Sequence, residues 1–321
     1  MIKIAFHTPQ LDVRGTCGSL YDYAHYNETL LNNKSVIVVP KSSFDNKKND
    51  EIAVKKFKER FEIVMYTTFE ELENLIADCQ IIYYIKYGKK DGFKPIKGIK
   101  SVIHCVFDLS DPHGDVYAAV SKTLAAKYKQ KLFVPHMIGL EPSKTNENMR
   151  KELGIPEDAI VFGRHGGEDT FDLQFVKDGI KQIIRECPNI YFVFVNTPRF
   201  DTHSNIFFLE KIIYPDEKNK FICSCDAMIH AQSLGETFGL SIGEFSVNNK
   251  PIVTYGGDVW NDNYKKILKN NAFYYYDAEG LIQIIKNFKK EDYVGKKLNF
   301  YTEYEPAKVM NMFKKIFIND E

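Results

Sequence analysis

Short apolar runs recur along this chain, separated by amphipathic stretches of helical length. The pattern stops at one polar segment and then starts again. The first series is IKIAF (2–6), SVIVV (35–39), FEIVMY (61–66), IIYYIKY (81–87), SVIHCVF (101–107) and a last short run, KLFVPHMI (131–138). Residues 20–32, 50–60 and 69–79 read as helices, and 116–128 mixes a strand end with a helix. Strands separated by helices predict parallel βαβ units, not hairpins. Residues 139–150 (GLEPSKTNENMR) are polar, hold a proline and read as a linker. The second series is AIVFGR (159–164), NIYFVFVN (189–196), a segment at 206–213, DAMIHA (226–231) and PIVTY (251–255). Helices are expected at 173–187, 239–248, 278–288 and 305–318. The fold class is therefore α/β, with two Rossmann-like doubly wound domains. A chain of 321 residues is long enough for two separate cores. Open parallel sheets bind ligands outside the carboxyl ends of their strands, so two such domains facing each other would make an interdomain cleft.

The charge balance narrows the partners. Lys+Arg and Asp+Glu both number 43, so the net charge is zero and a nucleic-acid partner is not expected. A neutral average still leaves room for a local basic face, and so for peripheral membrane contact. No apolar run reaches the roughly 18 residues of a membrane span. The opening MIKIAFHTP reads as a first strand and not as a signal peptide, so a cytoplasmic location is expected. The six cysteines are scattered and read as reduced thiols. Cys223-Ser-Cys225 has no second pair at zinc spacing, and no metal site is expected.

Chemistry concentrates in DAMIHAQSLGETFGLSIGEFSVNNKPIVTYGG (226–257). A strand ends near His230, and a loop follows with Gly235, Glu236 and Gly239. A helix begins at about Gly239–Leu240, and a second strand leads to Gly256-Gly257. A helix N-terminus aimed at a crevice offers free N–H groups and a favourable dipole to an anion such as a diphosphate. The glycines allow close backbone approach. Glu236 and Glu244 are carboxylates suited to sugar or ribose hydroxyls.

This segment resembles the E-x7-E signature of retaining GT-B glycosyltransferases of the family-4 type, with Glu236 and Glu244 at its ends, FGLS (238–241) at its core and NKPIV after it. The resemblance implies a sugar moved from a nucleotide-diphosphate sugar to an acceptor hydroxyl on a glycan, lipid or protein-linked sugar. The nucleotide sugar is a co-substrate, and no cofactor is implied. Glu236 would contact the transferred sugar, the backbone from Phe238 through Gly239 and Leu240 to Ser241 would hold sugar and diphosphate, and Glu244 would bind the ribose. His230 stands near the family's small polar position before the loop.

Three further stretches carry the resemblance. IVFGRHGGEDTFD (160–172) places Arg164 where the family's arginine binds the diphosphate. The lysine usual some six residues later is here Thr170, a departure that Lys250 or Arg199 would have to offset. HTPQLDVRGTCGSLYDYAHYNETL (7–30) puts Arg14, Gly15, Thr16 and Gly18 in the family's glycine-rich loop, followed by Tyr21, Tyr23, His25 and Tyr26 on a helix. HCVFDLSDPHGDVYAAVS (104–121) offers His104 and His113 as candidate catalytic groups near the donor sugar, with Ser121 at a helix start. Pro135-His136 resembles the hinge into the linker.

The implied domains are an acceptor-side domain over 1–140, a nucleotide-sugar domain over 141–304, and a helix over 305–321 crossing back to the first. The implied mechanism is front-face attack with retention, and no Asp-x-Asp motif is placed to require a metal ion. The alternatives are a nucleotide-sugar hydrolase or epimerase of the same fold, and a catalytically silent sugar-nucleotide-binding protein.

Overall fold

The computed structural model describes residues 1–319. The chain forms two compact units, one of Met1–Gly139 with the chain from Glu303 onward, the other of Leu140–Thr302. The first contains β1 (Lys3–His7), α1 (Gly15–Thr29), β2 (Lys34–Pro40), α2 (Lys41–Asp45), α3 (Glu51–Lys58), β3 (Glu62–Tyr66), α4 (Phe69–Leu75), β4 (Ile81–Lys86), β5 (Lys100–Cys105), β6 (Val116–Ala119) and α5 (Lys122–Lys127). The second contains α6 (Arg150–Leu153), β7 (Ile160–Arg164), α7 (Gln174–Glu186), β8 (Ile190–Val195), β9 (Ile206–Leu209), α8 (Pro215–Ser224), β10 (Ala227–His230), β11 (Gly235–Glu236), α9 (Leu240–Val247), β12 (Ile252–Tyr255), β13 (Asn261–Asp262), α10 (Asn263–Leu268), β14 (Phe273–Tyr275) and α11 (Ala278–Lys286). Helix α12 (Pro306–Phe313) then belongs to the first unit and runs into a π-helical turn at Lys314–Ile318.

Each unit holds a parallel six-stranded sheet. The orders are β3-β2-β1-β4-β5-β6 and β14-β12-β10-β7-β8-β9. Counted within its own unit, each sheet reads 3-2-1-4-5-6, the Rossmann order, whose direction reverses between the first and fourth strands. In the first unit that switch lies between β1 and β4, and in the second between β7 and β10.

The strands read as continuous apolar runs because both faces of each sheet are covered. In β1 and β2, Ile4, Phe6, Ile37 and Val39 face one core with Leu20 of α1 and Phe313 of α12. The alternate residues Ala5, Val36 and Val38 face the other core with Leu72 of α4. In the second unit Phe162, Phe192, Phe194, Ile229 and Val253 pack on Val176, Ile180 and Ile183 of α7 and on Leu281 of α11.

Several expectations shift. Helix α1 begins at Gly15, five residues ahead of the expected 20–32, so Gly15 and Gly18 form its first turn and not a loop. Its buried residues Cys17, Leu20, Ala24 and Asn27 recur at helical spacing, a period that the glycines hide in the sequence. The run 131–138 contributes only a single bridge, Ala119 to Phe133. Helix α8 and strand β14 were not expected at all. The expected linker is packed at its end, where Arg150 is buried and paired with Asp226 at 2.8 Å.

Candidate functional site

The ends of β7 and β10 meet at the switch point of the second sheet and carry Arg164 and His230. Arg164 is only 2% exposed. Its Nη1 donates to Thr197 Oγ1 at 2.6 Å and to the carbonyl of Asn196 at 3.0 Å. Its Nη2 donates to Thr170 Oγ1 at 2.6 Å and to the carbonyl of Gly167 at 2.5 Å. The Thr170 hydroxyl in turn donates to Gly167 O at 2.9 Å. Burial pushes the Arg164 pKa down to about 10, with Glu236 opposing the shift from close by. The residue at the lysine position is therefore an acceptor for the arginine, and Arg164 ties the loops after β7 and β8 together.

Glu236 sits on β11, whose partner is β13. Gly235 has φ +67°, and a Cβ there would lie 2.0 Å from the carbonyl oxygen of Asn261, so only glycine lets the two segments approach. Glu236 Oε1 is 3.4 Å from His230 Nε2, and His230 Nδ1 is 2.9 Å from Thr254 Oγ1. His230 is thus a buried bridge from β12 to Glu236, orienting the carboxylate.

Gly239, at φ +89°, is the N-cap of α9, and no side chain caps that helix. The N–H groups of its first turn, at Leu240 and Ser241, are where an anion would be bound. Phe238 is buried and its carbonyl accepts from Tyr301 Oη at 3.3 Å, so its side chain anchors the loop.

Glu244, one turn into α9, is doubly paired. Lys218 Nζ of α8 lies 2.6 Å from Oε1, and His165 Nε2 lies 3.0 Å from Oε2. Burial raises its pKa, but Lys218 and His165 outweigh this and hold it at about 2. His165 stacks on Phe245 with ring centroids 5.7 Å apart. Neither Lys218 nor His165 was singled out from the sequence. Lys218 lies on the unexpected helix α8, and His165 directly follows Arg164. Of the residues named as stand-ins for the lysine, Lys250 follows the C-terminal end of α9, the wrong end for an anion at its N-terminus. Arg199 lies over the Phe208 ring at 5.6 Å.

In the first unit, Arg14 is the exposed N-cap of α1. Arg14 and Thr16 line a cavity of about 240 Å³ with Thr8, Asp12, Lys86 and Phe107, at the switch point of that sheet. Gly15 is the first residue of α1 beside it. His104 is not presented to this cavity. It is wholly buried, its Nδ1 is 2.6 Å from Tyr83 Oη, its Nε2 is 2.7 Å from Val134 O, and burial pushes its pKa down to about 4. Both ring nitrogens are engaged in the core, unlike an imidazole presented to a cavity. His113 is buried between Phe93 and Tyr117, with Nδ1 2.6 Å from Asp111 O. Ser121 caps α5 by accepting from Leu124 N. Tyr23 is buried and its hydroxyl donates to Pro135 O at 2.7 Å, while Tyr21 packs on Phe57 and Phe61.

Among the described residues, no helix is long and apolar enough to cross a membrane. No protein-family model matches the chain, and no curated protein matches it. Solved structures do. HepE of Anabaena, in complex with UDP-glucose, superposes with a TM-score of 0.75 at 13% identity, covering 99% of this chain and 100% of that one. Sucrose-phosphate synthase of Thermosynechococcus elongatus gives 0.66 at 11% identity, covering 100% of both. A putative UDP-N-acetylglucosamine 2-epimerase of Listeria monocytogenes gives 0.61 at 12% identity, covering 100% and 97%. The fold is GT-B.

Proposed function

We propose that the chain is a glycosyltransferase that moves a sugar from a nucleotide-diphosphate sugar to an acceptor hydroxyl with retention. One observation carries this reading. An uncapped helix N-terminus at Gly239–Leu240 adjoins a part-exposed carboxylate, Glu236, that a buried histidine orients. A helix terminus and a hydroxyl-binding carboxylate together match a sugar linked to a diphosphate. HepE and its UDP-glucose complex share the fold.

In this reading Glu236 holds the transferred sugar, and the N–H groups of Leu240 and Ser241 stabilise the leaving diphosphate as its charge develops. Arg164 keeps the surrounding loops in place and adds a buried positive charge. Glu244, held by Lys218 and His165, serves the ribose side. Arg14, Gly15, Thr16 and His113 lie in the first unit, and their part in the reaction rests on the resemblance alone. The second unit carries the nucleotide sugar, the acceptor is a glycan or another hydroxyl compound, and no metal ion is required.

The test is turnover of UDP-, GDP- and ADP-sugars, followed as nucleotide release with and without glycan acceptors. Glu236→Gln should lower transfer by roughly 100-fold or more, as loss of a transition-state contact does. Unchanged turnover would remove Glu236 from the site. A second reading, a sugar-nucleotide-binding protein without turnover, is favoured by the engaged guanidinium of Arg164 and the paired carboxylate of Glu244. Stabilisation by a nucleotide sugar without product would establish it. Release of the free or epimerised sugar without any acceptor would instead mark a hydrolase or epimerase.

A further inference from the structure

The ladder of β11 and β13 has a solvent side that the reading above uses only at Glu236. Gly235 lies opposite Asn261 and Glu236 opposite Asp262. One step earlier, Asn261 N–H donates to Leu234 O at 2.9 Å, so the two segments are already side by side there. Exposure alternates along both. Gly235 and Asn261 are buried, Leu234 and Trp260 are each 63% exposed, and Glu236 and Asp262 are part exposed. The outward positions are therefore Leu234 beside Trp260, then Glu236 beside Asp262. The close approach is enforced, because a Cβ on Gly235 would also meet Val259 Cγ2 at 2.8 Å.

Large apolar side chains this exposed leave part of their apolar surface in water, at a cost in stability. The indole is the sole tryptophan of the sequence. An apolar face beside carboxylates complements a pyranose ring, which has one C–H face and an edge of hydroxyls. In a parallel ladder, strands about 4.8 Å apart that rise about 3.3 Å per residue put diagonal neighbours on one face about 8 Å apart, a span that one sugar ring can bridge. Lys266 Nζ is 3.3 Å from Asp262 and offsets that charge, which leaves Glu236 to meet the ring. A carboxylate on the sugar would face Glu236 at like charge.

We propose that Trp260, flanked by Leu234, is the stacking face for the transferred sugar, and that this sugar is a neutral hexopyranose, not a uronic or sialic acid. The proposal rests on the nucleotide-sugar reading above. It is tested on the full chain with UDP-glucose, GDP-mannose and ADP-glucose, each against its free nucleotide, and with UDP-glucuronate. For the nucleotide sugar that is turned over, the tryptophan emission should shift with the sugar and not with the nucleotide alone. Trp260→Ala should raise its KM roughly ten-fold and leave inhibition by the free nucleotide unchanged, and Trp260→Phe should recover most of the loss. A wild-type KM in Trp260→Ala overturns the stacking face while leaving the glycosyltransferase reading intact. Equal use of UDP-glucuronate and UDP-glucose overturns the neutral-sugar assignment. If the wild-type chain neither binds nor turns over any nucleotide sugar, the functional reading fails and this proposal with it. A Trp260 surface that answers only to a protein partner overturns it as well.

Discussion

At the scale of single residues, the most informative group is Glu244 with Lys218 and His165. Breaking a largely buried pair leaves a poorly compensated charge, which costs more than the pair itself contributes. Lys218→Met should therefore destabilise the second unit by about 2–3 kcal/mol, and adding Glu244→Gln should recover most of that in a double-mutant cycle. Equal destabilisation by the single and the double variant would show that the pair is not coupled. Glu236 and Glu244 stood out in the sequence through their resemblance to a known motif. Their partners did not, because Lys218 is 26 residues from Glu244 and meets it only once α8 and α9 are folded. Thr170 was legible as a missing lysine, but not as an acceptor that replaces a second cation with a hydrogen bond to the first.

Among the elements, strands were easier to read than helices. Runs such as SVIVV and NIYFVFVN are apolar on both faces because both faces are covered, and β2 and β8 coincide with them to within one residue at each end. Helix α8 (PDEKNKFICS) was missed because only Phe221, Ile222 and Ser224 are buried and its first half is charged. Strand β14 has three residues and sits at a sheet edge, too short to show a period. Helix α1 is the most testable case. Gly18 lies within it, and a Cβ there meets nothing within 4 Å. Gly18→Ala should therefore stabilise the first unit by about 0.5–1 kcal/mol, read as a rise in Tm. A fall in Tm would mean that this glycine serves a conformation other than the helix.

For the whole molecule, buried histidines set the response to acid. Burial holds His7 and His104 at about 4 and His136 well below its ordinary value, and it lowers His165 as well. Each is neutral in the folded chain and takes up a proton more readily when unfolded. Below pH 6.5 the unfolded state binds more protons, so stability falls as the pH drops toward 4, by up to about 3 kcal/mol for each histidine held near 4. Glu244 acts lower still. Its folded value of about 2 lies under the ordinary 4.5, so its contribution is intact above pH 4.5 and lost below. Thermal melts should show Tm dropping between pH 7 and pH 5, and His104→Gln should flatten that slope. A Tm constant over this range would contradict the burial of these rings.

Helix α12 and the turn after it complete the core of the first unit from the far end of the chain. Phe313 stacks on Tyr23 with centroids 5.4 Å apart, and Phe317 lies 5.1 Å from the His104 ring. The second unit, by contrast, is one unbroken stretch. On the ribosome, where domains generally fold as units during synthesis, the unit that starts second is thus able to finish first. The nascent first unit waits, with part of its aromatic interior uncovered, until α12 and the turn after it emerge.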